Sequence, residues 1–206
     1  MKSVALLIVL VVGIALAAVF WPESDDPELR HYACEVADVD SHASPYVLPY
    51  PAGTTHGVNQ ANCSGHGHSN FWRHGYDFTM DIGSPVTAAR EGTVGWARDG
   101  CFDGDRGCTN LITVLHADGS VALYSHLTHG GVLVKPGQQV RAGQLIGRSG
   151  MTGNTGGLAH LHFSVHPCNA LPGLPHPGAC PTQFVTFRNT AANPRGLQAA
   201  QVYLAR

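Results

Sequence analysis

Between about Gly57 and Val185 the apolar residues come in short runs, each cut off by glycine, proline or an Asp-Gly pair. A helix needs apolar positions three and four apart over about ten residues or more, while a half-buried strand needs alternation over only about four to eight. PVTAAREGTVGWA, NLITVLHADGSVALYSHL and GQLIGRSG satisfy the second condition and not the first. Asp118-Gly119, between ITVLH and VALYSHL, predicts a hairpin, and VKPGQQVRAGQLIG repeats a glycine turn, Pro-Gly then Ala-Gly. A chain of 206 residues with 25 glycines and 13 prolines in this arrangement is expected to be mainly β. Only the last stretch, NPRGLQAAQVYLAR, is expected to form a short helix.

The flanks differ from this domain. From Val4 to Trp21 no charged residue occurs, with Lys2 before the run and Glu23, Asp25 and Asp26 after it. That pattern fits a signal peptide cleaved near Ala15-Leu16-Ala17 or an uncleaved anchor. In both cases the charge asymmetry sends the rest of the chain outward, so the protein is expected to be periplasmic, secreted or anchored on the outer face of the cytoplasmic membrane. Residues 22–50, acidic and then proline-dotted, read as a linker. The domain is expected over 51–190, with a tail at 191–206.

Six cysteines, Cys34, Cys63, Cys101, Cys108, Cys168 and Cys180, all follow the apolar segment, as a disulfide framework in an exported protein would. The sequence-local pairing 34–63, 101–108 and 168–180 is expected, above all Cys101–Cys108, which brackets the turn-rich CFDGDRGC. No Cys-x-x-Cys pair is present to suggest a cysteine zinc site. The formal net charge is -2 and no basic stripe occurs, so nothing points to nucleic acid as a partner. Thirteen histidines against twelve lysines plus arginines instead direct attention to metal.

One stretch concentrates the question: GLAHLHFSV, residues 157–165. On a strand, residues i and i+2 share a face, so His160 and His162 project together, roughly 7 Å apart at Cα. Leu161 and Phe163 then face a core. Two such imidazoles can share one cation, or one can bind it while the other moves a proton beside it. A site that does chemistry commonly has three protein ligands and an open position. The upstream segment SGHGHSNFWRHGYDFTMDIGSPVTAAREGTV supplies His66, His68, His74, Asp77 and Asp81, and LYSHLTHGG supplies His126.

Taken together, HGYDFTMDIGSPVTAAREGTV, LYSHL, VKPGQQVRAGQLIGRSGMTG and HLHFSV resemble the lysostaphin-like (LytM-type) zinc metallopeptidases over about residues 66–166. The resemblance implies a compact antiparallel β-sheet, a barrel-sandwich hybrid, with one catalytic Zn²⁺. It also implies hydrolysis of peptide bonds in peptidoglycan. By the same resemblance, His162 and Asp77 fall on metal ligands, and His126 and His160 on the residues that handle protons and charge. His160 is expected to take the proton of the attacking water and His126 to face the developing oxyanion, and the two roles are interchangeable at this level. The family's first histidine ligand falls on Arg73, whose permanently charged guanidinium has no lone pair to offer. His68, nine residues before Asp77 with enough chain to loop out and return, is the preferred substitute, ahead of His74 and His66. Asp81 opens the turn Ile-Gly-Ser-Pro, where its expected role is in the turn. The glycine turn before His-x-His is longer than the family's usual one and lacks the proline that often precedes the first histidine.

Two other functions compete with the peptidase. One is a non-catalytic LytM-type domain that binds cell wall and activates an amidase. The other is a binding module with a structural metal, which would be closed by four protein ligands.

Overall fold

The computed structural model describes Cys34, residues 36–168 and residues 180–206. The apolar run Val4–Trp21 lies outside the described residues. Among those described, no helix is long and apolar enough to cross a membrane.

The alternating segments form ten strands: β1 (Thr55–Gln60), β2 (Gly75–Thr79), β3 (Pro85–Thr87), β4 (Gly92–Arg98), β5 (Asn110–Leu115), β6 (Val121–Val132), β7 (Gln139–Val140), β8 (Leu145–Ser149), β9 (His160–His166) and β10 (Val202–Leu204). All pairings are antiparallel, in the order β10-β1-β2-β9-β6-β5-β4-β7, while β8 pairs with both β6 and β3. The expected mainly β domain is therefore found. The Asp118-Gly119 hairpin joins β5 to β6. Gly119 sits at φ 85°, and Asp118 Oδ1 accepts a hydrogen bond from the Ser120 N–H at 3.0 Å.

β9 lies between β2 and β6 and turns one face to the core and the other to the cleft. Leu161, Phe163 and Val165 are fully buried on one side. Phe163 packs between Tyr124 of β6 and Phe187, at ring-centroid distances of 5.3 and 5.9 Å. His160 and His162 take the opposite side, as strand alternation requires.

The flanking segments pack against the sheet more closely than their composition suggests. Tyr46, Leu48 and Tyr50 belong to the core, so the packed unit begins ahead of residue 51. Proline made this stretch look like a linker, but its apolar side chains pack without needing a strand. The C-terminal stretch is a strand and not a helix. Gly196 and Ala200 have φ of 78° and 61°, which interrupts any helix, and β10 then pairs with the edge strand β1, Gly57 opposite Val202. Disulfides join Cys34–Cys63, Cys101–Cys108 and Cys168–Cys180.

Because Phe163 fills the centre of this core, Phe163→Ala should destabilise the domain by about 3–5 kcal/mol through lost transfer energy and a residual cavity. Urea unfolding monitored by far-UV circular dichroism measures this, with the midpoint shifting and the slope unchanged.

Candidate metal centre

Asp77 and His162 stand directly opposite one another in the β2–β9 register, on the face away from the core. His162 Nδ1 lies 2.8 Å from Asp77 Oδ1. The third member comes from a loop. His68 sits between β1 and β2, where Gly65, His66, Gly67 and Asn70 all have positive φ, and Gly65 and His68 form an isolated bridge. This winding returns the chain over the face of β2, bringing His68 Nε2 to 3.1 Å from Asp77 Oδ1 and 3.3 Å from His162 Nδ1. All three residues offer an atom within 4.8 Å of the others.

The donor chemistry fits a cation. His68 Nδ1–H donates to the Ala61 carbonyl at 3.1 Å, which leaves a lone pair on Nε2 of the neutral ring. That lone pair faces a carboxylate oxygen, and His162 Nδ1 converges on the same point. Three acceptor-type atoms meeting in a buried space repel one another unless a proton or a metal ion lies among them. Burial alone would raise the Asp77 carboxyl, but the His162 and His68 rings beside it outweigh this whenever they carry a proton toward it, and hold the group well below the usual carboxylate range. Burial pushes His162 downward, against the pull of Asp77, which favours the neutral ring that metal binding needs.

The proton-handling candidates flank this cluster. His160 Nδ1–H donates to the Leu158 carbonyl at 2.9 Å, which leaves Nε2 3.7 Å from Asp77 Oδ2. His126 owes its place to a bulge. Asn110 pairs with Leu127 and Leu111 with Ser125, so His126 is the extra residue, with φ 66°. Strict alternation would aim it at the core with Tyr124, but the bulge lets Ser125 and His126 both line the cleft while Leu127 returns to the core. His126 Nδ1–H donates to the Thr152 carbonyl at 2.6 Å, and its ring centroid is 4.7 Å from that of His160. Burial, reinforced by the neighbouring histidines, pushes His126 down to about 3, so this ring is neutral at physiological pH.

The structure therefore brings together His68, Asp77 and His162, with His126 and His160 beside them. It leaves His74 out, buried with Nδ1 3.3 Å from Asn62 Oδ1. His66 is exposed on the cleft rim. Asp81 is exposed, and its carbonyl closes the turn by accepting from the Ser84 N–H at 3.0 Å. The cleft has a volume of about 550 Å³, and among the described residues Asp77 is its sole carboxylate, with no lysine or arginine lining it. One residue was not singled out from sequence. A Cβ on Gly75 would lie 2.8 Å from His162 Cε1 and 3.1 Å from His68 Nε2. A glycine inside a strand next to a candidate ligand was the available signal.

A β domain with two imidazoles and a carboxylate converging in an open cleft defines a candidate single-ion metal site of the kind metallohydrolases use. Residues 72–172 match the model of Peptidase family M23, and the chain carries a Peptidase M23 (LytM-type) domain. Asp77, His126, His160 and His162 lie within the match and His68 just ahead of it. A peptidoglycan DD-endopeptidase of Vibrio cholerae, ShyA, is 38% identical over 101 residues, 47% of this chain and 22% of its own length. The glycyl-glycine endopeptidase ALE-1 of Staphylococcus capitis is 33% identical over 138 residues, 65% of this chain and 34% of its own. The catalytic domain of lysostaphin from Staphylococcus simulans aligns with a TM-score of 0.39 at 32% identity, over 59% of this chain and 83% of that one. This chain thus spans a minor part of the two curated relatives.

Gly75→Ala should weaken zinc binding about 10- to 100-fold by crowding His68 and His162. Competition with a chromophoric chelator measures this. An unchanged affinity would place the metal elsewhere.

Proposed function

We propose that this chain is an exported zinc metallo-endopeptidase that hydrolyses peptide bonds in the stem-peptide cross-links of peptidoglycan. The observation that carries the reading is the convergence of His68 Nε2, Asp77 Oδ1 and His162 Nδ1 in one open cleft, beside two further imidazoles whose Nδ1–H groups are already engaged. The endopeptidase relatives and the family match support it, and three disulfides among the described residues fit an exported protein.

His68, Asp77 and His162 would hold the ion, leaving a position open toward the cleft. When bound, Zn²⁺ polarises a carbonyl as a Lewis acid and makes water acidic enough to lose a proton near neutral pH. His160 has its lone pair on Nε2 at the edge of the donor set, where it accepts the proton of the attacking water and returns it to the leaving amine. His126 is held in the same tautomer by Thr152, so its Nε2 is also an acceptor. It donates to a developing oxyanion only after it has taken up a proton. The resting site therefore offers two proton acceptors, and the chemistry of the two rings is shared rather than divided. A cleft lined by amides, hydroxyls and leucines, without fixed cations, suits a peptide held through its backbone.

Muropeptides released from purified sacculi, analysed by mass, test this. Wild type should create new peptide termini. His160→Ala should retain stoichiometric zinc and lose about 100-fold or more in turnover, the share general acid–base catalysis supplies. Asp77→Ala and His162→Ala should lose both zinc and turnover. Zinc-loaded wild type that leaves sacculi uncut would favour the amidase-activating reading. Loss of zinc in His160→Ala together with its retention in His68→Ala would overturn the ligand set.

A further inference from the structure

His126 combines two unusual requirements. Its backbone sits at φ 66°, a conformation that costs a non-glycine residue energy and persists only where surrounding contacts impose it. Among the described residues its ring is also held by a single acceptor, the Thr152 carbonyl, carried by a different loop. Two chain segments must therefore stay in fixed relation, the one that leaves the bulge (Thr128 and His129) and the one that carries the acceptor (Met151 and Thr152).

One carboxylate joins them. Asp103 Oδ2 accepts from Thr128 Oγ1–H and, more distantly, from the His129 N–H at 3.4 Å, while Oδ1 accepts from the Met151 N–H at 2.6 Å. The surrounding loop repeats the contact through its backbone, with Gly104 N–H donating to Met151 O at 2.9 Å and Gly153 N–H to Asp105 O at 2.6 Å. Gly150 leaves room for this, since a Cβ there would meet Thr128 N at 2.3 Å and Asp103 Oδ1 at 2.6 Å. The Cys101–Cys108 disulfide closes the loop that carries Asp103. Beneath it, buried Asn110 donates through Nδ2 to the carbonyls of Cys101, Leu127 and Thr128, tying the start of that loop to the exit of the bulge. Asp103 itself does not line the cleft.

We propose that Asp103, presented by the Cys101–Cys108 loop, is a positioning residue for His126: by bridging Thr128 and Met151 it fixes both the bulge and the carbonyl that selects the Nδ1–H tautomer. The assignment of His126 to proton transfer rests on the peptidase reading, but the geometric claim does not. Charge-assisted bonds of this kind are the stronger class of hydrogen bond, so loss of the carboxylate frees both segments together.

The test uses zinc-loaded protein labelled with ¹⁵N-histidine. In wild type, His126 should give one Nδ1-protonated signal set. Asp103→Ala should show mixed tautomers or a broadened His126 signal, unchanged zinc content, and kcat on a soluble muropeptide reduced about 10- to 100-fold with KM within about twofold. Asp103→Asn, which can still accept from Met151 N–H while donating to Thr128 Oγ1, should restore most of the signal and the rate. Should Asp103→Ala fail to fold, Thr128→Val removes one arm of the bridge at nearly constant volume and should perturb the same signal. An unchanged His126 spectrum in whichever of these variants folds overturns the proposal, as does activity lost only in proportion to zinc or folded fraction. A wild type that cuts no muropeptide, yet shows the tautomer change on mutation, would overturn the peptidase reading and leave the positioning role standing.

Discussion

Asp77 faces His162 across the β2–β9 pair, and the register that makes them neighbours also sends Tyr76, Phe78, Leu161 and Phe163 into the core. The two outcomes are inseparable. A slip of one residue would turn the aromatic side chains toward the cleft and the carboxylate and imidazoles inward, so the same hydrophobic pattern that stabilises the sheet enforces the geometry of the site. A carboxylate this deeply buried is costly when unpaired, and here its cost is offset by the imidazoles at 2.8 and 3.1 Å once a proton or a cation lies among the three. The cluster is thus a polar group stabilised only when all three members are present, and the more so with a cation among them.

The remaining two histidines show two ways of departing from a regular strand. His160 begins β9 and hydrogen-bonds back to Leu158, a purely local contact. His126 requires a bulge in a central strand, imposed through contacts with residues distant in sequence. In both, Nδ1–H is given to a backbone carbonyl and Nε2 is left toward the cleft. The same device recurs in His68 through Ala61. Backbone carbonyls are suited to this role because they accept only, and so fix the tautomer whatever the protonation of neighbouring groups.

Much of this was legible in the chain. Period-two alternation in HLHFSV gave the shared face of His160 and His162, Asp-Gly gave the β5–β6 hairpin, and the sequence-local cysteine pairs are those observed. The placement of His68 required more than spacing, because a loop with five residues at positive φ has no periodicity to read, and only its length showed that it could return. The bulge at His126 was invisible, since nothing in LYSHL distinguishes an inserted residue from a regular one. The packing of the flanking segments was hidden for a related reason. Tyr46, Leu48 and Tyr50 pack as irregular chain, and β10 exists because the β1 edge was available to pair, a tertiary circumstance that local propensity does not record.

How firmly the candidate site is held depends on the origin of each member. Asp77, His160 and His162 belong to central strands whose opposite face is close-packed, so their positions are fixed to the precision of the core. His68 lies over β2 but is not itself on a strand. Its loop is constrained instead by the Cys34–Cys63 disulfide, by the Cys63 N–H bond to the Arg73 carbonyl at 2.7 Å, and by the short Gly65–His68 bridge. A disulfide of this kind contributes about 2–4 kcal/mol, chiefly by restricting alternatives to the folded chain. The constraint therefore falls on the member of the cluster that the sheet cannot itself position. The candidate site therefore has one corner, His68, that is held by its loop and not by the sheet. A candidate ligand carried on a loop needs restraint from outside the sheet, and here a covalent bond, Cys34–Cys63, ties down the loop that carries it.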